Sequence, residues 1–236
     1  MVGYYRQVGN RRQLTLPEGP RRILDGILPF VLDFLPADQI LLGGGTALAS
    51  RWQHRESFDI DLFVDPVTFN RDIYGRRAEC EDRLIELGLG RFVAFDEDAC
   101  GVFLEDGMVD IVGCFALTTE SRSEDRVAGT SIALETNAEI LAKKLHRRIL
   151  GQGRIVPRDL YDFAFARRFE ARSWEAAWTA RRVADPHVMI AALSSFSPGW
   201  MDRQEDAVRG ARYPELVGSA VEEVLEDVRR RFLESL

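Results

Sequence analysis

The sequence predicts an α+β chain: a mixed sheet with flanking helices over residues 1–136, followed by a helical domain over residues 137–236. Three observations carry this expectation. Short apolar runs punctuated by glycines and acidic turns recur from Ile40 to Leu134, with the length and alternation of strands. From Asn137 onward, apolar residues recur instead at helical spacing over long stretches. No low-complexity tract, repeat or long linker separates the halves, so they are expected to pack together.

Residues 17–35 read as a helix because Leu24, Ile27, Leu28, Val31, Leu32 and Leu35 recur three and four apart. A short strand is expected at 39–42, running into Gly43-Gly44-Gly45, and 46–53 is compact and helix-prone. Residues 58–64 alternate charged and apolar side chains before Asp65-Pro66, the pattern of a strand and its exit turn. Residues 70–87 read as a polar amphipathic helix ended by Gly88. The runs 91–95, 101–104 and 108–115 read as strands, the last a central one because it is apolar on both faces. A further strand is expected at 127–134, and helices at 137–150, 157–169, 174–184 and 214–236.

Composition excludes several classes. The 236 residues are 46% hydrophobic and 29% charged, as in an ordinary globular chain. Asp25, Gly26 and Asp33 interrupt the early apolar stretch, so no membrane-spanning helix is expected. The first dozen residues lack the apolar core of a signal peptide. Cys80, Cys100 and Cys114 form no CxxC, and His54, His146 and His187 lie far apart, which argues against thiolate or His-rich metal centres. A reducing, cytoplasmic location is expected. Charge is uneven. Of 31 basic residues, 29 are Arg and two are Lys, the adjacent Lys143 and Lys144. Residues 143–182 carry eleven basic and four acidic side chains in a chain of net charge −7. Such a segment either meets phosphate or solvates helix faces.

The stretch from Ile40 to Asp65 carries the chemistry. Glycines between a strand and a helix let the backbone approach a ligand, and N–H groups at a helix start suit phosphate. Thr46 is a candidate N-cap or phosphate donor there, although a plain tight turn uses the same residues. Asp59 and Asp61 flank Ile60, so on a strand both carboxylates project from one face while Ile60 packs inward. Two such charges are unfavourable unless neutralised, and a divalent cation shared with nucleotide phosphates does so. Asp110 is the single acid inside 108–112, costly to bury unless paired or metal-bound, or else an edge residue facing water.

A glycine turn followed about a dozen residues later by DxD resembles the nucleotidyltransferase superfamily, in which a third carboxylate on a later strand is frequent. More specifically, Gly44-Gly45-Thr46-Ala47-Leu48, Arg55-Glu56-Ser57-Phe58-Asp59-Ile60-Asp61-Leu62-Phe63, Ala142-Lys143-Lys144-Leu145 and Arg158-Asp159-Leu160-Tyr161-Asp162 resemble the AbiEii/AbiGii toxin family. The resemblance spans about half of the chain and implies a nucleotidyltransferase-like sheet. It implies Mg²⁺ (or Mn²⁺) on Asp59, Asp61 and Asp110, with Asp110 the third ligand or general base. Gly44, Gly45, Thr46, Arg55, Ser57 and Arg148 are implied to bind the nucleotide. Lys144 is implied to be the family lysine, neutralising the leaving pyrophosphate with Arg148, and Asp159 to orient it. Asp162 shares the helix face of Asp159 and is expected to bond a neighbouring helix, and a backbone bond is an equal reading for Ser57. The implied reaction is attack of a hydroxyl on the α-phosphate of an NTP, with RNA, including tRNA 3′ ends, as acceptor for some members. A cognate antitoxin is expected as partner, and no membrane. Trp174 and Trp178, one turn apart, read as core.

Other readings remain at this point. A nucleotidyltransferase acting on a small, antibiotic-like molecule would favour an acidic pocket over a basic groove. A metal-dependent glycosyltransferase would need more than the 58 residues that precede Asp59. A non-catalytic nucleotide-binding protein would not need all of the acids together with Lys144.

Overall fold

The computed structural model describes residues 5–8, 11–89, 92–180, 186–196, 199–203 and 207–234. Contacts divide the chain into two units. The first comprises Met1–Trp52, Ser57–Ala116 and Arg122–Thr136, and the second Gln53–Glu56, Leu117–Ser121 and Asn137–Leu236. Two short segments from within the first 136 residues, Gln53–Glu56 and Leu117–Ser121, group with the helices.

Among the described residues the first unit holds nine strands: β1 (Tyr5–Val8), β2 (Arg11–Leu14), β3 (Leu41–Leu42), β4 (Ile60–Val64), β5 (Phe92–Phe95), β6 (Ala99–Phe103), β7 (Met108–Gly113), β8 (Arg122–Val127) and β9 (Ala133–Glu135). They form one mixed sheet of order β1-β2-β8-β9-β3-β4-β7-β6-β5. The pairs β2–β8, β3–β9 and β4–β7 are parallel and the others antiparallel. Alternation in β4 and β7 turns Ile60, Leu62, Val109 and Ile111 to a fully buried face, leaving Asp61 and Asp110 partly accessible on the other. Helix α1 (Glu18–Phe34) buries Ile23, Leu24, Ile27, Phe30 and Val31, so the buried face keeps Leu24, Ile27 and Val31 of the stripe read from the sequence but turns away from Leu28, which is half-buried, and Leu32, which is exposed. Each such burial contributes roughly 1.5–3 kcal/mol before entropy.

Four differences from the sequence reading have physical causes. The helix expected at 70–87 is broken into α3 (Pro66–Asp72), a tight turn at Tyr74–Arg76 and α4 (Arg77–Glu86). It starts early because Asp65 caps it through Val67 N and Pro66 supplies the first position. The strand expected at 127–134 is instead the end of β8, a turn at Gly129 (φ +74°) and the start of β9. Strands β1 and β2 went unread because their polar sequences YRQV and RRQL show little apolar alternation. The short α2 (Gly44–Trp52) opens two residues before Thr46, which is therefore not its N-cap.

The second unit begins with α5 (Asn137–Ala142), continues through wide π-type turns at Lys143–Ile149 and a last turn α6 (Leu150–Gln152), then α7 (Pro157–Phe169) and α8 (Ala171–Thr179). Helices α9 (Pro186–Ser194), α10 (Trp200–Arg203) and α11 (Pro214–Leu233) follow. The helix expected at 174–184 starts and stops earlier, and residues 181–184 and 235–236 lie outside the described residues. Trp174 and Trp178 are core, as read: Trp174 packs on Phe163 at 5.2 Å and donates its indole N–H to Asp227 Oδ2 at 2.8 Å. Among the described residues, no helix is long and apolar enough to cross a membrane.

Candidate active site

In the sheet unit, the carboxylates meet by register. Asp61 on β4 and Asp110 on β7 are direct partners in a parallel pair, and Gly101 on β6 is the next partner in the same row. A β-carbon on Gly101 would stand 3.2 Å from Asp110 Oδ1, so the missing side chain makes room for that carboxylate. Gly44 serves Asp61 in the same way. Its φ of +63° suits glycine, and a β-carbon there would overlap the Asp61 carboxylate. Glu135, buried at the end of β9, occupies the space beside Gly43. The glycine turn is therefore shaped first around the protein's own carboxylates.

Thr46 is buried, and its hydroxyl donates to the Asp59 carbonyl at 2.5 Å and lies 3.1 Å from Ser57 Oγ. Those two bonds fix the strand entry just before β4, which is a positioning role for Thr46 and Ser57. Asp59 stands one residue ahead of β4, partly accessible, on the far side of buried Ile60.

The helical unit builds a second cluster. Lys144 Nζ pairs with Asp159 Oδ1 and lies 3.1 Å from Asp162 Oδ2. Arg148 Nη1 reaches both Asp159 oxygens, at 2.9 and 3.2 Å, so Lys144 and Arg148 share one carboxylate. Arg55 grips Asp162 with both arms of its guanidinium, at 2.6 and 2.8 Å, and His54 Nε2 lies 2.7 Å from the same carboxylate. Both aspartates are completely buried. Burial alone would raise their pKa values. The cations overcome it: Arg55 and Lys144 hold Asp162 well below the usual carboxylate range, and Lys144 and Arg148 hold Asp159 below it. Burial pushes the His54 pKa down, so this ring is neutral.

Arg55, implied by the resemblance to bind nucleotide, is thus engaged by Asp162, and Asp162 bonds the segment Gln53–Glu56 rather than only a neighbouring helix. The same segment is stitched by Glu56 N to Arg209 O, Arg212 N to His54 O, and the Tyr161 hydroxyl to His54 O. Buried Glu139 does for Leu117–Ser121 what Asp162 does for Gln53–Glu56. Its carboxylate accepts the Leu117 and Thr118 N–H groups and the Thr118 hydroxyl, and it stands 3.6 Å from Lys143 Nζ. Glu135, Glu139 and His54 were missed in the sequence because nothing local distinguishes them from surface residues.

Among the described residues, no group of three or more His, Cys, Asp and Glu side chains is arranged to hold a metal. Asp59, Asp61 and Asp110 are therefore not a ready-made three-ligand site, since Asp61 is turned onto Gly44. The Asp61–Asp110 pair still fits Mg²⁺, which is commonly held by one or two carboxylates while phosphates and waters complete the shell. The basic segment is partly neutralised in place. Arg167 and Arg168 both pair with Glu223 of α11, and Arg148 and Lys144 with Asp159.

The sequence pattern of the family described as "Nucleotidyl transferase AbiEii toxin, Type IV TA system" matches residues 30–187. Among solved structures, JHP933 from Helicobacter pylori is similar with a TM-score of 0.50 at 14% identity, covering 93% of this chain and 97% of that one. A putative nucleotidyltransferase from H. pylori scores 0.48 at 15% identity, covering 89% of this chain and 95% of its own. The antibiotic-resistance factor ANT(2'')-Ia, solved with adenylyl-2''-tobramycin, scores 0.37 at 18% identity, covering 67% and 87%. No curated protein matches. The two-thirds of the chain matched by the family pattern include every motif residue from Gly44 to Asp162, and the chain belongs to the AbiEii toxin family of nucleotidyltransferases.

Proposed function

We propose that this enzyme transfers NMP from an NTP, with Mg²⁺ or Mn²⁺, to a hydroxyl of RNA, tRNA 3′ ends included, as the toxin of a toxin–antitoxin or abortive-infection pair. The observation that carries the transfer chemistry is the Asp61–Asp110 pair, side by side in one cross-strand row with glycines making room for both carboxylates. When bound there, the cation supplies charge neutralisation at the reacting phosphate. Asp59 and Asp61 would hold the cation, with Asp110 as its third ligand or as the general base that accepts the attacking hydroxyl's proton. Thr46 and Ser57 fix the strand that presents Asp59. Lys144 and Arg148 offset charge on the departing pyrophosphate, and Asp159 aims both cations. Gly44 and Gly45 leave the backbone open to the triphosphate. The partly exposed Arg148 side chain, at 33%, supports a phosphate-facing role.

One observation favours a small-molecule acceptor instead. Residues 57–116, which supply Asp59, Asp61 and Asp110, contain fourteen Asp and Glu against five Arg, better matched to a cationic hydroxylated compound than to a polyanion. The test incubates the protein with each labelled NTP, Mg²⁺, and either total RNA or a panel of hydroxylated amines, beside Asp59→Ala/Asp61→Ala. Label moving to RNA and lost in the double variant supports the reading. Label moving only to the amines supports the second, and transfer that survives the double variant sinks both.

A further inference from the structure

The carboxylate-bearing face of the sheet continues past Asp110 into exposed aromatic surface. Cross-strand partners share a face, so the row Asp61, Asp110, Gly101, Ala94 has beside it the row Met108, Phe103, Phe92. Phe103 is 39% and Phe92 62% exposed, and their rings touch at 5.6 Å between centroids, tilted by 49°. The aromatic pair directly adjoins the acids. The point above Gly101 where a β-carbon would stand is 3.2 Å from Asp110 Oδ1 and 3.6 Å from Phe103 Cε2, so ring and carboxylate flank one gap. From β7 to β5 is two strand spacings, about 10 Å, comparable to the reach from a nucleotide's phosphate to its base.

We propose that Phe103 and Phe92 form a shelf on which a nucleobase of the substrate stacks, with the bound NTP as its source. The proposal rests on the nucleotidyl-transfer reading and deepens it. Large apolar side chains left open on a strand next to catalytic carboxylates gain most from a flat, uncharged partner, which a base is and a phosphate is not. Glu105 and Asp106 follow Phe103 across Leu104, and although Arg22 stands 3.4 Å from Asp106, acids so placed suit a neutral ring better than a phosphate. Small side chains at Gly101 and Ala94 keep the surface between shelf and acids low, so base and phosphates can lie on one face. Stacking on an aromatic is tolerant of base identity, so the shelf supplies affinity more than choice among the four bases.

The test measures equilibrium binding, with Ca²⁺ replacing Mg²⁺ so that nothing turns over. The ligands are the four NTPs, inorganic tripolyphosphate and a single-stranded RNA oligonucleotide. Phe103→Ala should weaken the best-bound NTP about tenfold or more while leaving tripolyphosphate affinity unchanged. Phe103→Trp should retain the NTP, and Phe103→Leu should fall between. Unchanged NTP affinity in Phe103→Ala overturns the proposal, as does equal weakening of NTP and tripolyphosphate, which would mark a general disturbance of the acids. RNA affinity falling while NTP affinity holds would assign the shelf to the acceptor and overturn the NTP as its source. Because binding is read without turnover, these outcomes stand apart from the loss or survival of transfer in Asp59→Ala/Asp61→Ala.

Discussion

Arg55 and Asp162, 107 residues apart in the chain, close a two-pronged ion pair at 2.6 and 2.8 Å with both side chains buried. Removing one partner of a buried pair leaves the other charge stranded, at a cost of about 3–5 kcal/mol. Asp162→Ala strands Arg55, removes the carboxylate beside His54 and leaves Lys144 with Asp159 alone, so urea unfolding should show a loss at the upper end of that range. Arg55→Ala should cost less, because Asp162 keeps Lys144 and His54. Equal losses would show that the Lys144 contact contributes little.

The same carboxylate predicts a pH profile. Asp159 and Asp162 have folded pKa values below the ordinary 3.8, so in acid the unfolded chain takes up their protons first. Their contribution is full above about 3.8 and drains away as pH falls toward the folded values. His54 has a folded pKa below its ordinary 6.5, so its contribution is present above 6.5 and declines as pH falls. Urea midpoints should therefore drop gently below pH 6.5 and steeply below pH 4. His54→Gln should flatten the first limb relative to the parent and leave the second.

Gly44 and Gly26 make a contrasting pair. Gly44→Ala adds a β-carbon into the Asp61 carboxylate at φ +63°, displacing the very group proposed to hold metal. A displacement of that size should lower transfer about a hundredfold. Gly26 lies in the middle of α1 with no atom within 4 Å of its missing β-carbon. Gly26→Ala should leave transfer intact and raise stability by about 0.5–1 kcal/mol.

Lys144 is the compact cation that fits between two buried aspartates, at 5% exposure. A guanidinium is larger and planar, so Lys144→Arg should cripple transfer even though the charge is kept. Lys143 stands 3.6 Å from Glu139, a looser contact, and Lys143→Arg should be close to silent in initial rate. Matching rates for the two variants would remove Lys144 from the mechanism.

Cys80 and Cys100 are buried, with thiol pKa values pushed up to about 12 by burial, and Cys114 is partly accessible. Native protein treated with a thiol-specific reagent at pH 8 should label one cysteine quickly, at Cys114, and all three only after unfolding.

The candidate carboxylates were legible because their spacing is local. Residues two apart on a strand share a face, so Asp59 and Asp61 could be paired on paper, and Asp110 stood out as an acid in an apolar run. The glycine turn was also visible, but its reason was not. Gly44 is required by Asp61, seventeen positions away, and no local pattern encodes that contact. Arg55 shows the limit most clearly. Its motif pointed to nucleotide, whereas its guanidinium is spent on Asp162, a partner that only the tertiary fold brings near. Counting charges along 143–182 likewise says nothing of their partners, because Glu223 of α11 answers Arg167 and Arg168 from far downstream. Periodicity found most helices but missed β1 and β2, whose strands are almost wholly polar.

The segments Gln53–Glu56 and Leu117–Ser121 carry the chain out of the sheet unit and back again, so it changes unit five times between its ends. Neither unit is one continuous stretch, and neither can be cut out as a gene fragment with native ends. On the ribosome the order of synthesis then matters. When Thr136 has left the exit tunnel, β1 to β9 have all been made, yet Arg55 still lacks Asp162 and the Leu117 and Thr118 amides still lack Glu139. The loop that leads into Asp59 is anchored only after α7 has been made, so its final geometry waits on residues more than a hundred positions downstream.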